Sequence, residues 1–578
     1  MINPTNLLTA YRSQEVKKSG NYLNTNCHVS NTNFNASSTN LLEQYLQANA
    51  AINVPKVVKV ENANNSHKAY KNDLRSLFTH NEAKILAIVP RIFNAKDTNG
   101  NEYIDGKEQH GTFLNAIDRL DEVKAQGFNT LHILPIHPTG KMKAMGTAGS
   151  LYSPKDLLEI DPTLIDPNDP RSDKEQFKAF VDACHDRGIR VMLDLPSCAS
   201  YDMFLAKPNL MATERDGLAK TPQGWNDIRM FEPWEDEGKR TLNPDLLQLH
   251  KEYVDMCVDL GIDGIRADVA RAKPVEFWDI IIPYSRRLDP EFGWLAETYT
   301  YEDASPQANM PYDRPEDSLR AGFDMIYGQY HIFHEWATAG EFMDYVKSQL
   351  DMSYGLDKGK SLIGSFATHD DISPMYHGRT DYCNLTSGLQ ATLPMLNPYI
   401  VDGFQSGDYY AYPYENKINV VPSVTDNNEM TVHHGKLDIF NLSRKPGGKN
   451  PEIGKFMTEC FNLKDKYADI INKGSFIELD KSNDPTDQII AYARHLNGKT
   501  LLVVANKNID RNISAKIKIP TLKENQELKN LLPSYGKESK IQAGNNELRV
   551  DLGPARIHVF EINTPYIESH TQKVYKQH

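Results

Sequence analysis

The chain has 578 residues, more than one hydrophobic core usually supports, so two or three domains are expected. Its formal net charge of −13 argues against a nucleic acid or an anionic membrane as a partner, and no concentrated run of Lys and Arg opposes this interpretation. The six cysteines are scattered without a C-x-x-C pair, which argues against a zinc ribbon or a disulfide framework.

No stretch reaches about 18 consecutive apolar residues, and the N-terminus lacks the basic and then apolar pattern of a signal peptide. We therefore expect a cytoplasmic protein. Residues 1–80 are rich in Asn, Ser and Thr and contain too few apolar residues for a core, so they are predicted to be a flexible N-terminal extension.

From residue 84 onward, apolar strand-like runs alternate with helical periodicity. The predicted strands lie near 84–91, 129–135, 189–195, 262–268, 292–297, 322–327, 362–368 and 398–402. The predicted helices include 113–126, 174–187, 246–260 and 342–350. Eight strands with intervening helices predict an α/β protein with a (β/α)8 TIM barrel over residues 81–470.

Two further segments depart from the barrel pattern. The connection after the third strand is too long for an ordinary loop, so residues 197–241 are predicted to form an inserted subdomain. Residues 471–565 alternate strands and turns, which predicts a C-terminal antiparallel β-sandwich, followed by a tail at 566–578.

Four of the predicted barrel strands end in carboxylates, and in a parallel barrel these ends form one rim. In the run Gly261 to Asp268, strand alternation places Arg266 and Asp268 on the same face, so the guanidinium would hold this carboxylate ionised. Glu297 follows an apolar run without a fixed cation nearby, so desolvation would keep it protonated. A single Arg–Asp pair is most often structural, but the set of acids favours a catalytic site.

The runs G-I-D-G-I-R-A-D (261–268), L-A-E (295–297) and F-A-T-H-D (366–370) resemble the second, third and fourth signature regions of the α-amylase family, glycoside hydrolase family 13. Their order and spacing also match, and the resemblance covers residues 80 to 565. It implies that Asp268 is the nucleophile, that Glu297 is the acid/base, and that Asp370 binds and distorts the sugar. Glycosidic chemistry needs such carboxyl groups in opposite protonation states.

The resemblance also implies a set of substrate-binding residues. Arg266 and His369 belong to the same signature regions, and Asp194 matches the aspartate of the first region. Tyr152 is similar to the tyrosine that stacks on the sugar at the cleavage site, although an aromatic residue in a loop is often only packed. Arg271 occupies the place where many relatives have a lysine on the leaving-group side.

The first signature region departs from the family pattern at two positions. Cys198 and Ala199 stand where commoner members have Asn and His, and Thr241 stands where an aspartate often lies. The family calcium site between the barrel and the inserted domain is therefore not expected.

A separate loop at 97–108 has oxygen-bearing residues at alternate positions and an acid at the twelfth, as a Ca²⁺ ion requires. Glu102 replaces the usual glycine at the sixth position, and an Asn/Gly turn is the alternative interpretation. The loop resembles a calcium loop of some family members. The predicted ligands are Asp97, Asn99, Asn101, Tyr103 through its backbone carbonyl, Asp105 and Glu108. No organic cofactor is expected.

The first functional hypothesis is a retaining hydrolase of the α-amylase type that acts on an α-glucan or maltooligosaccharide. The run 271–278 is similar to the family's maltosyltransferases, so transglycosylation is the alternative. A third possibility is an inactive binding or partner protein, but such relatives typically lose one or more acids, and this chain keeps them. The sequence does not predict an oligomeric state.

Overall fold

The computed structural model describes residues 73–99, 104, 107–144, 149–222, 226–298, 315–354, 361–371, 373–408, 450–520, 522–562 and 574–575. The strands among them are β1 Ile85–Ile88, β2 Thr130–Ile133, β3 Arg190–Leu195, β4 Cys198–Ala199, β5 Arg229–Met230, β6 Trp234–Asp236, β7 Thr241–Leu242, β8 Gly264–Ala267, β9 Gly293–Ala296, β10 Met325–Ile326, β11 Ser361–Ile363, β12 Leu396–Asn397, β13 Tyr399–Val401, β14 Ser475–Glu478, β15 Lys481–Ser482, β16 Ile489–Leu496, β17 Lys499–Asn506, β18 Ile513–Lys518, β19 Lys540–Gly544, β20 Glu547–Leu552, β21 Ile557–Ile562 and β22 Val574–Tyr575.

The helices are α1 Leu74–Thr79, α2 Pro90–Phe93, α3 Phe113–Ala116, α4 Leu120–Ala125, α5 Asp173–Asp186, α6 Tyr201–Ala206, α7 Pro244–Asp259, α8 Val275–Leu288, α9 Pro315–Ala321, α10 Ala339–Tyr354, α11 Pro374–Thr392, α12 Pro451–Lys466 and α13 Ala468–Lys473. None of the helices in the described ranges is long and apolar enough to cross a bilayer.

The (β/α)8 barrel is present, and its eighth strand is split in two. Strands β1, β2, β3, β8, β9, β10 and β11 run parallel in that order, and β12 pairs with β11 while β13 pairs with β1. Pro398 lies between β12 and β13 and has no N–H to give to a sheet. Its carbonyl instead accepts from the N–H of Ile85 at 2.8 Å, which helps to close the barrel.

Side-chain alternation separates the barrel wall from its interior. Ile265 and Ala267 of β8 are fully buried against the surrounding helices, in the largest apolar core. Arg266 between them is also completely buried, but among the polar groups inside the barrel. The predicted alternation of this strand is therefore confirmed.

Helix α1 packs against the N-terminal ends of the barrel strands and corrects one prediction. Leu74 and Phe78 are fully buried, and a side chain at Gly264 or Gly293 would lie within 3.1 Å of α1. The flexible extension was predicted to reach residue 80, and that is wrong for Leu74–Thr79. The rest of that extension, up to residue 72, lies outside the described residues.

The single helix predicted at 113–126 is two helices in the structure. Helices α3 and α4 are separated by a 3-10 turn at Ile117–Arg119. At this turn the buried Arg119 forms an ion pair with Asp402 after β13, at 3.0 Å. The other three predicted helices correspond to α5, α7 and α10.

Between β3 and α7 the chain forms a small excursion that contains α6 and two short antiparallel ladders, β4 with β5 and β6 with β7. This is the segment in which the inserted subdomain was predicted. Its boundaries at 197 and 241 stay predictions.

Two antiparallel sheets follow the barrel, one of five strands (β21-β17-β16-β14-β22) and one of four (β15-β18-β20-β19). Ile477, Leu502 and Val504 of the first sheet pack with Ile517 and Leu548 of the second, which makes the predicted sandwich. The other face of the five-stranded sheet packs on the barrel, where the Tyr492 and Thr392 hydroxyls lie 2.6 Å apart. Of the predicted tail at 566–578, the structure describes residues 574–575, which form β22.

Candidate active site

The acids identified in the sequence meet at the C-terminal ends of neighbouring barrel strands. The register pairs Arg266 with Asp194 on β3 and with Leu295 on β9. Continued by two residues, the same register brings Asp268 next to Glu297. His369 and Asp370 follow β11, and His369 Nε2 lies 2.8 Å from the Tyr152 hydroxyl, which donates to Asp194. The structure therefore brings these residues together at one rim.

Arg266 is the centre of the site. Its Nη1 donates to Asp194 Oδ1 at 2.9 Å and to Asp268 Oδ1 at 2.8 Å, its Nη2 lies 2.7 Å from Glu297 Oε2, and its Nε donates to the Tyr327 hydroxyl at 3.0 Å. The side chain is completely buried. The predicted contact with Asp268 is confirmed. The prediction that Glu297 has no cation nearby is wrong, because the guanidinium reaches across to the next strand.

Asp268 is held at both carboxylate oxygens. Oδ1 accepts from Arg266, and Oδ2 accepts from the backbone N–H of Ser197 at 3.0 Å and from its hydroxyl at 2.8 Å. These three donors hold the Asp268 carboxylate in one orientation at the rim.

Glu297 has the properties of a general acid despite its contact with Arg266. Burial raises its pKa to about 7, the Arg266 charge opposes this rise, and the Asp268 carboxylate adds to it. A carboxyl group with a pKa near neutrality can both give and take a proton.

The backbone of Val269 is strained, and its N–H binds Glu297. Val269, which follows Asp268, has φ 32° and ψ 63°, in the left-handed region that a β-branched residue rarely adopts. In this conformation its N–H donates to Glu297 Oε2 at 2.8 Å. The turn after Asp268 therefore also positions Glu297.

Asp370 and His369 lie next to each other, beside Tyr152. Burial and the nearby Glu297 carboxylate raise the pKa of Asp370 well above its usual range, although 30% of its side chain is exposed to the pocket. Burial and the Arg266 charge lower the pKa of His369, so its imidazole is neutral. His369 Nε2 lies 2.8 Å from the Tyr152 hydroxyl and 3.3 Å from Asp370 Oδ1.

Tyr152 lies next to these residues, where a sugar-stacking ring was predicted. Its ring stacks on His369 with centroids 5.8 Å apart and an interplanar angle of 14°. Its hydroxyl donates to Asp194 Oδ2 at 2.8 Å. Arg271, another substrate-binding candidate, is buried in the 3-10 turn Ala270–Ala272, which follows Asp268 and Val269.

Asp194 is a buried, ionised carboxylate in the site. Burial would raise its pKa, but Arg266 and His132 outweigh this effect and hold the pKa at about 2. An ionised Asp194 can only accept, so the Nε2–H of His132 donates to it at 3.2 Å. The His132 Nδ1 then accepts from the Tyr399 hydroxyl at 2.7 Å.

These bonds form a closed ring below the pocket. Arg266 donates to Tyr327, Tyr327 is hydrogen-bonded to Tyr399, and Tyr399 donates to His132, which returns to Asp194 and Arg266. Sequence reasoning missed His132, Tyr327 and Tyr399. His132 did give a signal, because it is a polar residue inside the apolar strand T-L-H-I.

Ser197 and Lys273 were also missed. Lys273 is buried, and its Nζ donates to the carbonyl of Ser197, the residue that donates to Asp268, at 3.2 Å. Burial lowers its pKa to about 8. Cys198, the first departure from the family pattern, lies beside them, and burial raises the pKa of its thiol to about 12, so the thiol is neutral.

Of the six predicted calcium ligands, Asp97, Asn99 and Glu108 lie in the described residues. Asn101, Tyr103 and Asp105 lie outside them. Glu108 Oε1 accepts from the N–H groups of Thr98 and Asn99 at 2.5 and 3.1 Å. Its carboxylate therefore lies at the start of the loop, as a twelfth-position ligand requires. Within the described ranges, no three His, Cys, Asp or Glu side chains are grouped so that they could hold a metal ion.

Comparison with protein-family models gives no match. Among curated proteins, the chain is 30% identical over 447 residues to an alpha-1,4-glucan:maltose-1-phosphate maltosyltransferase of Bifidobacterium animalis, covering 70% of this chain and 53% of that protein. Proteins of the same name from Picrophilus torridus and Cereibacter sphaeroides are 24% and 26% identical, over 71% and 47% of this chain and 61% and 40% of theirs. The chain thus spans about half the length of the curated relatives it matches.

Solved structures with the same fold include a maltogenic alpha-amylase from Thermotoga neapolitana, with a TM-score of 0.61 and 20% identity, covering 84% of this chain and 99% of that one. An alpha-amylase from Lactobacillus plantarum has a TM-score of 0.60 and 18% identity, covering 84% and 100%. These likenesses establish the fold.

Proposed function

Because this chain has the barrel fold of the α-amylase family and is similar in sequence to its maltosyltransferases, we propose that it is a retaining α-glucan transglycosylase. The observation that carries the proposal is the 30% identity over 447 residues to a maltosyltransferase, combined with a rim that holds Asp268, which accepts from Arg266, next to Glu297, whose pKa is raised to about 7. This replaces the first hypothesis of a hydrolase. The proposed donor is maltose 1-phosphate, and the proposed acceptor is an α-1,4-glucan.

The proposed reaction has two steps. Asp268 attacks the anomeric carbon, the bond from that carbon to the leaving oxygen breaks, and Glu297 gives a proton to that oxygen. A hydroxyl of the acceptor then attacks the glycosyl-enzyme, Glu297 takes its proton, and Asp268 leaves as a carboxylate. The configuration at the anomeric carbon is retained because it inverts twice.

The other proposed roles follow from positions around Arg266. Arg266 orients Asp194, Asp268 and Glu297. Asp370, His369 and Tyr152 would bind hydroxyls and the face of the sugar, and Arg271 would lie on the leaving-group side.

The test is incubation with maltose 1-phosphate and maltoheptaose, followed by chromatography of glucans and measurement of released phosphate. Transfer predicts glucans lengthened in steps of a maltosyl unit, with one phosphate released per step. Maltoheptaose alone, with and without phosphate, tests the other possibilities. Only shorter products would establish hydrolysis, the activity named for the structural neighbours. Unchanged substrates would favour the binding protein, and Asp268→Asn is the inactive control.

We also propose that Ca²⁺ binds the loop 97–108, because its oxygen-bearing residues have the required spacing and Glu108 lies at its start. The test is calorimetric titration of chelator-treated protein with Ca²⁺. Binding that Glu108→Gln weakens and that the exposed control Glu214→Gln leaves unchanged would support the site. Equal binding by both variants would exclude it.

A further inference from the structure

The two oxygens of the Asp268 carboxylate have different partners. Oδ2 accepts two hydrogen bonds, from the N–H and the hydroxyl of Ser197 at 3.0 and 2.8 Å. Oδ1 accepts from Arg266 at 2.8 Å. Two donors occupy both in-plane lone pairs of Oδ2, so attack through Oδ2 would first break one of these bonds. Attack through Oδ1 leaves both intact.

Ser197 is held in turn by Lys273. Ser197 follows β3 by two residues, and its carbonyl accepts from Lys273 Nζ at 3.2 Å. Lys273 is only 1% exposed, and its ammonium lies 5.2 Å from the centre of the Phe231 ring. A buried cation on a backbone carbonyl is a costly arrangement, and here it fixes the residue that contacts the nucleophile.

We propose that Ser197 and Lys273 are positioning residues that reserve Oδ1 of Asp268 for attack and set the lifetime of the covalent glycosyl-enzyme. The proposal rests on the two-step reaction proposed above, and it adds an asymmetry between the two steps. In the first step a bond forms from the anomeric carbon to Oδ1, and the carboxylate loses its charge as it becomes an ester. In the second step this bond breaks, and Asp268 recovers the electron pair and the negative charge.

The asymmetry comes from the charge on Oδ2. A hydrogen bond to a carboxylate is roughly twice as strong as one to a neutral carbonyl. Ser197 therefore stabilises the free carboxylate more than the ester, which makes Asp268 a better leaving group. Loss of the serine hydroxyl slows the second step more than the first.

The experiment uses α-maltosyl fluoride as the donor, because fluoride leaves without needing a proton. In Ser197→Ala, kcat falls by about tenfold or more while kcat/KM changes much less, so KM falls as well. Mass spectrometry of quenched, digested enzyme shows more of the peptide that contains Asp268 in its glycosylated form. Ser197→Thr keeps a hydroxyl and restores part of the rate.

Lys273→Met gives the same pattern with a smaller effect, and Lys273→Arg is closer to the native enzyme. The matched controls are Ser387→Ala, a buried serine that bonds only within α11 in the contacts described, to Cys383 O, and Lys464→Met, a buried lysine that donates to Asn472. Neither control changes the ratio of the two steps.

The outcomes separate this inference from the proposed function. If neither the native enzyme nor any variant consumes the donor or forms an adduct, the proposed reaction is wrong. If the native enzyme turns over but Ser197→Ala lowers kcat and kcat/KM equally, or if the controls behave like it, the positioning role is wrong. If Ser197→Ala does not fold, the Lys273 variants decide by the same criterion.

Discussion

The Arg266 guanidinium lies 2.7 Å from Glu297 Oε2, and the pKa of this carboxyl is nevertheless about 7. The cation would lower the pKa, but burial and the neighbouring Asp268 carboxylate outweigh it. Arg266 therefore serves two acids in different ways. It donates a direct hydrogen bond to Asp268, while Glu297 still holds a proton below neutrality.

The first prediction concerns the pH dependence of the rate. In the proposed reaction Glu297 gives a proton to the leaving oxygen of maltose 1-phosphate, so kcat/KM for this donor is expected to fall as the pH rises through about 7. Glu297→Gln should lower kcat/KM by about 10²- to 10⁴-fold and remove this basic limb. With α-maltosyl fluoride the first step should survive the substitution. A basic limb that persists in Glu297→Gln would assign it to another group.

The second prediction concerns backbone strain at Val269, the residue after Asp268. Val269 has φ 32°, and left-handed backbone costs a residue with a Cβ about 1–2 kcal/mol. Val269→Gly keeps the N–H that bonds Glu297 and relieves this strain, so the free energy of unfolding should rise by about 1 kcal/mol.

Val258 provides a matched control for this substitution. It is half-buried in α7, where its backbone is helical. Val258→Gly should lower the free energy of unfolding, since glycine is unfavourable inside a helix. Urea unfolding of both variants is the measurement. A loss of stability in Val269→Gly equal to that in the control would contradict the strain.

The barrel, the sandwich and the acids at the rim could be predicted because each depends on a local pattern. A strand that ends in a carboxylate is visible in the sequence, and the parallel topology then brings such ends together. The contact of Arg266 with Glu297 could not be predicted, because it depends on the register between β8 and β9. Lys273 and Ser197 are 76 residues apart in the sequence. This separation does not indicate that the two residues are in contact.

The terminal parts of the barrel show the same limit. Helix α1 has three buried apolar residues that look unremarkable next to an Asn-rich segment, and its position against Gly264 and Gly293 is a tertiary contact. The eighth strand is interrupted by Pro398. Its second piece, β13, lies within the predicted strand 398–402, but its first piece, β12, has two residues and is too short for periodicity to detect.

The third prediction tests the hydroxyl of Tyr152. It donates to Asp194 at 2.8 Å and lies 2.8 Å from His369 Nε2, while the ring stacks on His369. Tyr152→Phe keeps the ring and loses the bridge, so kcat/KM should fall by about tenfold with a normal melting temperature. Tyr152→Ala loses the stacking surface too and should cost about another tenfold. Equal activities of the Phe variant and the native enzyme would exclude a role for the hydroxyl.

The fourth prediction is a pH dependence of stability at Asp194. Its pKa is about 2 in the folded protein, against 3.8 as the ordinary value. A lowered folded pKa stabilises the protein above the unfolded pKa, and this contribution is lost as the pH falls from about 4 to about 2. The difference of nearly two units corresponds to about 2.5 kcal/mol. Asp194 is completely buried, so solvent does not screen its partners.

Asp194→Asn should therefore lower the free energy of unfolding more at pH 7 than near pH 2.5, by about 2 kcal/mol. Urea unfolding at both pH values, with Asp186→Asn on the outer helix α5 as the control, makes the comparison. A cost of Asp194→Asn that is the same at both pH values would mean that the carboxylate gains nothing from Arg266 and His132 in the folded state. The stability of the hydrogen-bonded ring around Asp194 would then not depend on the charge of this carboxylate.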